Sequence, residues 1–472
     1  MDRKIMNLSN PFLEKPEYVT PLIPNFRPAS LFNRAFQKSV NQAGGGVPLI
    51  LGLERPDGTI SRYETIIFSE DHPGAKNNIF YCERILKLLL WQRGGSTVYV
   101  GGPERIGRSL KQIYSPDGRR AFDYHFLTDN VYLSKFQVIP CEPDDVPADQ
   151  EEERSIGRHL DGYRIGFDLG ASDLKVSAVQ NGEAIFSKEI EWNPREQTDP
   201  NYHKEKIRAA LNLALGKLPR LDAIGGSSAG IYVDGRPMVA SLFRGIPKGR
   251  FDEVRNMFHE IQAELGVPLE IVNDGEVTAL AGSMSLGENG ILGIALGSSQ
   301  AAGYITLKGN ITNWLNELSF APIDYNPDAP IEEWSGDQGC GSSYLSQQCV
   351  FRLSSKAGIN IPKSLSKAQK LKYAQEKLEA GHEGAQMIWQ SIAYCMGYAI
   401  AHYANFYDLK YVLILGRCTS GSGGQIILNG ANEVIQKEFP GLSKKIVLKL
   451  PDEHSRRVGQ SIAAASLPLI DK

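Results

Sequence analysis

The chain has no apolar run long enough to cross a bilayer, and its first 18 residues contain none long enough for a secretory signal. The longest apolar stretches, at 411–415 and 462–465, fall well short of the roughly 20 residues that a membrane span needs. We therefore expect no membrane partner. The 6 cysteines are scattered without a C-x-x-C pair, which in a large chain without a signal predicts reduced thiols in the cytoplasm.

The sequence also has little excess of charge of either sign. Its 51 basic and 54 acidic residues give a net charge of -3, whereas nucleic-acid-binding domains usually carry a clearly basic face. The N-terminal region shows no helix-turn-helix pattern, so a repressor function is disfavoured and we expect no nucleic-acid partner. A length of 472 residues with 42% hydrophobic residues predicts about two to four globular domains that bind small molecules.

An acidic, proline-containing segment at 142–153 marks the clearest change in composition. It has no large apolar side chain, so it predicts a solvated linker, although an acidic surface loop within one domain remains an alternative. We predict a loosely ordered arm at 1–18. The predicted divisions are an N-terminal α/β module of undefined role (1–141), a linker (142–161), a first lobe (162–288, completed by a helix at 455–472) and a second lobe (289–454).

Periodicity predicts alternating strands and helices on both sides of the linker. Before it we predict strands at 47–54, 60–68, 96–100 and 131–139 and a helix at 77–93, with Asp57-Gly58 as a hairpin turn. After it we predict strands at 163–168, 175–179, 184–191, 221–225, 269–272, 290–295, 302–306 and 411–415, with helices at 203–215, 251–264 and 385–407. This order favours two α/β lobes over one sheet.

The first segment that could carry chemistry is a hairpin at 166–179. Asp168 ends a strand, and a tip of small residues follows at 170–175. Such a turn presents backbone N–H groups to a phosphate, while the carboxylate can hold Mg²⁺ through water. The candidate phosphate contacts are Gly170, Ser172 and Lys175. An ordinary turn with Asp and Gly is the alternative.

The second segment, at 271–280, places Asn273 and Asp274 after a strand and at the start of a helix. A carboxylate there faces the crevice at the carboxyl edge of an open α/β sheet. Phosphoryl transfer to an alcohol needs one positioned base to take the hydroxyl proton, and Asp274 is our candidate. The alternative is that Asp274 only caps the helix.

Two further segments are rich in glycine and serine. Gly297, Ser298 and Ser299 form a second strand–turn–strand candidate for phosphate binding. A buried strand at 411–415 then enters a glycine-rich loop that starts at Gly416, where the backbone could approach an adenine or ribose closely. An ordinary flexible loop is the alternative for the last segment.

The order of these four segments resembles the actin-like ATPase superfamily with its ribonuclease H-like lobes, and within it the ROK family of bacterial sugar kinases and repressors, over residues 162–472. The resemblance implies a two-lobed fold that binds ATP and Mg²⁺, with Asp168 holding the metal through water and Asp274 as catalytic base. It also implies substrate contacts at Asn273, Gly230 and Glu317.

The chain departs from the family pattern at the metal and sugar motifs. The histidine of the Glu-x-Gly-His motif is Phe320 here, and Glu333 and Ser335 replace two cysteines of the structural zinc site, of which Cys340 remains. Tetrahedral zinc needs about four ligands, so we expect no zinc. We expect Phe320 and Trp334 to fill that space with apolar contacts.

Other departures affect the sugar and phosphate contacts. Leu242 and Phe243 stand where a sugar-binding asparagine is expected, and Gln300 is bulky enough to crowd the phosphates. We therefore carry two hypotheses. The favoured one is an ATP-dependent kinase acting on a sugar or polyol, and the other is a non-catalytic sensor or scaffold that binds a nucleotide or sugar. A homodimer remains open.

Overall fold

The computed structural model describes residues 10–151, 156–451 and 453–470. The chain divides into two compact units. The larger unit comprises Met1–Glu152, Ile294–Ala301 and Trp314–Leu450, and the smaller unit comprises Glu153–Gly293, Ala302–Asn313 and Pro451–Lys472. The N-terminal module thus belongs to the same unit as most residues predicted for the second lobe.

The elements follow one another along the chain in three stretches. The first contains α1 (Ala29–Ala43), β1 (Val47–Glu54), β2 (Ile60–Ile67), α2 (Asn78–Gln92), β3 (Thr97–Gly101), α3 (Glu104–Ile113), α4 (Ala121–His125) and β4 (Gln137–Cys141). The second contains β5 (Tyr163–Leu169), β6 (Asp173–Gln180), β7 (Glu183–Glu191), α5 (Pro200–Leu215), β8 (Ala223–Ser228), β9 (Ile231–Val233), β10 (Arg236–Val239), α6 (Phe251–Arg255), α7 (Met257–Leu265), β11 (Leu269–Asn273) and α8 (Asp274–Leu286). The third contains β12 (Ile291–Leu296), β13 (Gln300–Ile305), α9 (Gln347–Ser354), α10 (Lys367–Glu379), α11 (Glu383–Tyr403), β14 (Tyr411–Leu415), α12 (Ser422–Glu438), α13 (Pro440–Ser443), β15 (Val447–Lys449) and α14 (Glu453–Ala465).

The N-terminal module is built on a four-stranded sheet of order β2-β1-β3-β4. The predicted β1–β2 hairpin is confirmed: Gly58 has φ +82°, and Asp57 Oδ1 accepts a hydrogen bond from the Thr59 N–H at 2.9 Å. Helix α2 is buried along its whole length except at Ile79. A helix buried on all sides belongs to the core of a domain, so this module is not a loosely attached extension.

Two predictions for this region are wrong. The strand predicted at 131–139 begins only at Gln137, because the chain forms a π-helical turn over Phe126–Val131 and Leu133 has a positive φ of +52°. The arm predicted at 1–18 is not loose over residues 10–18, since Phe12 is buried with its ring centroid 5.4 Å from that of Phe36. Residues 1–9 lie outside the described residues.

The acidic segment runs along this sheet. Gln150 pairs with Ile60, Arg55 Nη2 lies 2.8 Å from Glu151 Oε2, and Val146 is buried. These contacts favour the surface-loop alternative for residues 142–151, whereas residues 152–155 of the predicted linker lie outside the described residues. The boundary at 142–161 stays a prediction.

The smaller unit contains a five-stranded sheet of order β11-β8-β5-β6-β7. Strands β5, β8 and β11 are parallel and in register, so that Leu169, Ser228 and Asn273 end at one level. Strand β6 continues the sheet antiparallel to β5, and β7 pairs antiparallel with β6 at the edge. The structure therefore provides the open carboxyl edge at which ligands of such sheets bind.

The C-terminal helix α14 covers this sheet. A Cβ atom at Gly225 would lie 1.6 Å from the Ala464 carbonyl oxygen, and one at Gly166 would lie 2.1 Å from the Ser461 carbonyl oxygen. Helix and sheet can come this close only because both strand positions are glycine. The helix predicted at 251–264 is broken at Asn256 into α6 and α7.

A further four-stranded sheet has the order β13-β12-β14-β15, and β9 pairs with β10 in a short ribbon. Helix α11 packs closely on α12, because a Cβ atom at Gly397 would lie 2.9 Å from the Ala431 carbonyl oxygen.

Among the described residues, no helix combines the length and the apolar character that a bilayer span requires.

Candidate active site

Asp168 occupies the end of β5, as predicted. Its Oδ1 accepts a hydrogen bond from Ser227 Oγ at 2.7 Å, and Lys175 stands opposite it in the β5–β6 register. Burial raises the pKa of Asp168, while Ser227 and Lys175 lower it. The carboxylate is thus half-buried, and its neighbours offset only part of the cost of burying its charge. A bound cation would offset the rest.

The hairpin after Asp168 is held in shape by its own residues. The Gly170 N–H donates to the Asp173 carbonyl at 2.9 Å, and Trp192 Nε1 donates to the Gly170 carbonyl at 2.9 Å. The side chains of Ser172 and Lys175 are exposed and both lie beside the Asp173 carboxylate, at 3.2 and 3.4 Å. The tip is therefore ordered before any ligand arrives.

Asn273 caps helix α8 rather than Asp274. Its Oδ1 accepts from the Gly275 N–H at 2.7 Å, and its Nδ2 donates to the Gly230 carbonyl at 2.7 Å. Gly230 has φ +131°, and a Cβ there would lie 2.4 Å from the Val239 carbonyl oxygen. Two predicted substrate contacts are thus joined directly, and the capping role left open for Asp274 belongs to its neighbour.

Asp274 is the first residue of α8, at the same sheet edge as Asp168. Burial and the charge of Asp168 raise its pKa to about 6, although the backbone N–H groups of Gly275 and of Asp274 itself act to lower it. Asp168 acts on Asp274 because β5 and β11, the strands that lead to the two carboxylates, end at the same level of the sheet. Such a group is ionised at pH 7 yet basic enough to accept a proton.

Two hydroxyl groups that the sequence analysis missed lie at the same edge. Ser228 ends β8, and Tyr232 lies on β9. Burial raises the pKa of Tyr232, contact with Ser228 lowers it, and the charges of Asp274 and Asp168 raise it. The run of small polar residues at 226–230, directly after a strand, is the signal that could have pointed to them.

Leu242 and Phe243 lie in the core of the smaller unit. They are 1% and 0% exposed, and the Phe243 ring packs 5.0 Å from that of His203. Neither side chain can contact a ligand at the surface of this unit. The polar sugar contact that the family resemblance implies at these positions is therefore missing.

In the larger unit, Gly297 turns the β12–β13 hairpin. Its N–H donates to the Ser299 carbonyl at 3.0 Å, its carbonyl accepts from the Gln347 N–H at 3.0 Å, and Ser298 and Ser299 are exposed. The expected crowding by Gln300 is wrong. Its side chain is buried and donates from Nε2 to the Tyr403 hydroxyl at 3.3 Å, away from the exposed tip.

Gly416 has φ +99°, and a Cβ there would lie 2.5 Å from the Leu296 N atom, so glycine is required. Helix α10 holds the loop that follows, which the sequence did not predict. Gln375 Nε2 donates to the Arg417 carbonyl at 2.7 Å, and Glu379 Oε1 accepts from the N–H and hydroxyl of Ser422 at 2.7 and 2.9 Å. These hydrogen bonds from α10 therefore fix the position of the loop that follows β14.

Glu317 is placed by helix α2 of the N-terminal module. Its N–H donates to the Trp91 carbonyl at 2.9 Å, and the Asn316 N–H donates to the Gln92 carbonyl at 2.8 Å. Ser319 Oγ donates to Glu317 Oε2 at 3.3 Å. The last carbonyls of α2, which have no partner inside the helix, therefore hold the segment that carries this candidate sugar contact.

The region that corresponds to the zinc site is only partly filled by aromatic packing. The buried Phe320 ring lies 4.3 Å from that of Trp91, whereas Trp334 is 62% exposed and touches Phe320 at 5.9 Å. Glu333 is exposed and Cys340 is buried. Within the described ranges, no three or more His, Cys, Asp or Glu side chains are grouped in a way that could hold a metal ion.

A buried ion cluster lies beside these aromatic rings. Its hub is Asp337, whose carboxylate lies 2.5 Å from Arg120 Nη1 and 3.4 Å from both Arg84 Nη1 and Lys87 Nζ. Lys87 also binds Asp123 at 2.7 Å. Its buried members are three acidic and three basic side chains, whose formal charges balance: Glu83, Asp123, Asp337, Arg84, Lys87 and Arg120. The half-exposed Arg119 also lies 3.5 Å from Glu83.

The structure thus gathers the predicted residues in two places. Asp168, Asn273, Asp274 and Gly230 meet at the carboxyl edge of the sheet in the smaller unit. Gly297 and Gly416 lie at the ends of adjacent strands in the larger unit.

No model of a protein family and no curated protein matches this sequence. The chain is similar in fold to many solved structures, including the following two. One is a ROK family transcriptional regulator, a homolog of the E. coli Mlc protein, with TM-score 0.53 and 17% identity over 65% of this chain and 78% of that one. The other is a ROK hexokinase from Thermus thermophilus, with TM-score 0.51 and 16% identity over 64% of this chain and 98% of that one.

The chain therefore has the two-lobed α/β fold of ROK proteins, and the predicted resemblance is confirmed at the level of the fold. At these identities the likeness concerns the fold alone. The same fold serves a regulator and a kinase, so function has to be argued from the site.

Proposed function

We propose that the protein is an ATP-dependent kinase that transfers a phosphoryl group to a hydroxyl of a sugar or a sugar-like substrate. The observation that carries this proposal is Asp274, a carboxylate with a pKa raised to about 6 that stands beside Asp168 at the carboxyl edge of a parallel sheet. Keeping two carboxylates half-buried and close together costs free energy, and such arrangements are typical of functional sites.

In this reaction the acceptor oxygen forms a bond to the γ-phosphorus of ATP while the bond to ADP breaks. Asp274 takes the proton of the acceptor hydroxyl as that bond forms. Its pKa of about 6 is still below 7, so the group is mostly ionised at pH 7, and the increase makes it more basic than an ordinary aspartate. Asn273 supports it by fixing the start of α8 and the Gly230 backbone.

The residues present fit a magnesium ion. Asp168 offers a half-buried carboxylate whose pKa is raised by burial, and a nearby divalent cation would offset that penalty. Mg²⁺ bound there through water would neutralise charge on the phosphates of ATP. The candidate contacts for phosphates and adenosine are the ordered tips at Gly170, Ser172 and Lys175, at Gly297, Ser298 and Ser299, and the loop at Gly416.

A second candidate is a non-catalytic sensor that binds a nucleotide or sugar. It is favoured by the exposed Ser298 and Ser299 in a hairpin where the resemblance implies glycines, and by the likeness to a transcriptional regulator. The likeness to a hexokinase supports a hexose as the acceptor. Glu317, held by α2, stays a candidate sugar contact.

The test is a screen of hexoses, amino sugars and polyols for substrate-dependent ADP release with Mg²⁺. With an accepted substrate, Asp274→Asn should lower turnover by about 10²–10⁴-fold, the usual effect of a positioned general base, and leave ATP affinity nearly unchanged. Asp168→Asn should instead weaken binding of the Mg²⁺–ATP complex. A wild-type protein that binds ATP but turns over no acceptor, and behaves as Asp274→Asn does, would favour the sensor.

A further inference from the structure

The hydroxyl groups of Ser228 and Tyr232, beside the carboxylates of Asp168 and Asp274, both lack a hydrogen-bond partner of good geometry among the described residues. Ser228 is 0% exposed, and its Oγ makes no hydrogen bond of good geometry within the described residues. The same holds for the buried Tyr232 hydroxyl. Ser227, one residue earlier, is by contrast satisfied, since it donates to Asp168 at 2.7 Å.

The two hydroxyls cannot satisfy each other completely. They lie near one another: Tyr232 follows Ser228 across the turn at Gly230, β9 packs beside β11, and contact with Ser228 lowers the pKa of Tyr232. Each hydroxyl carries one donor hydrogen and can also accept. If one donates to the other, the hydrogen of the second still lacks an acceptor. Buried polar groups are nearly always paired, so the pair is complete only with a further polar group from water or a ligand.

The position of the pair relates it to the proposed chemistry. In the sheet register Ser228 stands next to Leu169, which follows Asp168, and next to Asn273, which precedes Asp274. Tyr232 feels the charges of both carboxylates, which together with burial keep its phenol neutral and able to donate. A ligand that contacts Asp274 therefore lies close to the hydroxyl groups of Ser228 and Tyr232.

The charges at this edge restrict the chemistry of such a ligand. An anionic group at the pair would be repelled by Asp168 and Asp274, whereas a neutral hydroxyl both donates and accepts. Leu242 and Phe243, where the family resemblance implies a polar sugar contact, are buried in the core. The acceptor must then find its polar contacts elsewhere at this edge.

We propose that Ser228 and Tyr232 form a polar subsite that binds one hydroxyl of a neutral pyranose hexose and thereby contributes to acceptor specificity. This inference rests on the proposed function, because it names how the acceptor of that reaction is held. It makes the two residues contacts of the substrate and gives them no part in proton transfer.

The test measures D-glucose binding by isothermal titration calorimetry to the full chain and to Tyr232→Phe and Ser228→Ala. Each change removes one oxygen from a side chain, so the fold should be kept, and thermal unfolding verifies this. We expect the Kd for glucose to rise about tenfold in each variant, the usual effect of one lost hydrogen bond, with unchanged affinity for a non-hydrolysable ATP analogue. D-glucuronate, an anion of the same size, should bind the wild type more weakly than glucose.

A matched control and a set of ligands separate contact from general structure. Tyr114→Phe removes another buried hydroxyl without a partner, in the larger unit, and should leave glucose binding unchanged. The monodeoxyglucoses identify the bound hydroxyl, because the analogue lacking it should lose no further affinity in Tyr232→Phe. In turnover assays the loss should appear in KM rather than in kcat.

Glucose affinity that is the same in wild type, Tyr232→Phe and Ser228→Ala would overturn the inference, since water alone would then complete the pair. Absence of glucose binding to the wild type would overturn it as well. If glucose binds through the pair but no ADP is released, the subsite stands and the kinase proposal fails. If ADP is released and both variants keep the wild-type KM, the kinase stands and the subsite is refuted.

Discussion

Replacing Asp337 by asparagine should destabilise the protein severely. The carboxylate lies 2.5 Å from Arg120 and 3.4 Å from Arg84 and Lys87, and the exposed fractions of these side chains are 7% for Asp337 and 9%, 6% and 1% for its partners. The change would leave three buried cations facing two buried carboxylates. Breaking a buried pair by removing one partner costs about 3–5 kcal/mol, which is a large part of the stability of an ordinary domain.

The pH dependence has a definite sign. Burial alone would raise the pKa of Asp337, but Arg84 and Lys87 hold it below its usual value. A carboxylate with a lowered pKa in the folded state contributes stability above its unfolded pKa of about 3.9, and this is lost as the pH falls through the folded value. The difference between wild type and Asp337→Asn should therefore be largest at neutral pH and shrink in acid.

The assay is urea unfolding at pH 7 followed by circular dichroism. Glu104→Gln is the matched control, because it breaks an ion pair with Arg108 whose side chains are 70% and 72% exposed, and it should cost less than about 1 kcal/mol. Adding Arg84→Met to Asp337→Asn should recover part of the loss, since it removes one excess cation while Glu83 keeps Arg120 as its partner. A loss for Asp337→Asn no larger than that of the control would refute the reasoning.

Four further outcomes are expected. Asp274→Asn should raise the free energy of unfolding at pH 7 by about 1–3 kcal/mol, because an Asp with a pKa raised to about 6 loses stability as the pH rises from about 4 to 6; the gain should vanish in unfolding measurements at pH 4. In a pH profile, kcat/KM should fall below about pH 6 as Asp274 takes up a proton, and a flat profile down to pH 5 would contradict its role as base. Gly416→Ala should weaken ATP binding because a Cβ there would lie 2.5 Å from Leu296 N, whereas Gly441→Ala, with open space around it, should not. Elemental analysis after dialysis against a chelator should find no stoichiometric zinc, and the melting temperature should not change.

The sequence predicted those elements whose signals are local. The β1–β2 hairpin follows from the Asp57-Gly58 turn between two β-branched runs. Asp168 and Asp274 could be placed because the first lies at the end of an apolar strand and the second directly follows one. The order of these motifs along the chain was sufficient for the fold. Asn273, which caps α8 in place of its neighbour, shows that positions within such a motif are less certain.

The features that the sequence did not show depend on partners far away in the chain. In the sequence, Glu83, Arg84 and Lys87 look like the solvated side of a helix, yet their side chains are buried. Their burial depends on Asp337, which neutralises Arg84 from a position 253 residues later in the chain. Gln300 looked like an obstacle to phosphates because nothing local indicates that Tyr403 draws it inward. Unpaired hydroxyls such as that of Ser228 become visible only when every possible partner has a position.

The placement of α2 has a consequence for biosynthesis. Its buried charges meet their hub at Asp337, and its last carbonyls meet Asn316 and Glu317, so the N-terminal module cannot complete its core until those residues have been made. At about 5–20 residues per second, the ribosome needs roughly 10–40 s to proceed from the end of the module to this segment. During that time the apolar side of α2 remains exposed and is a natural substrate for chaperones. Chains arrested near residue 200 should therefore be cleaved within α2 by a protease that spares the finished protein.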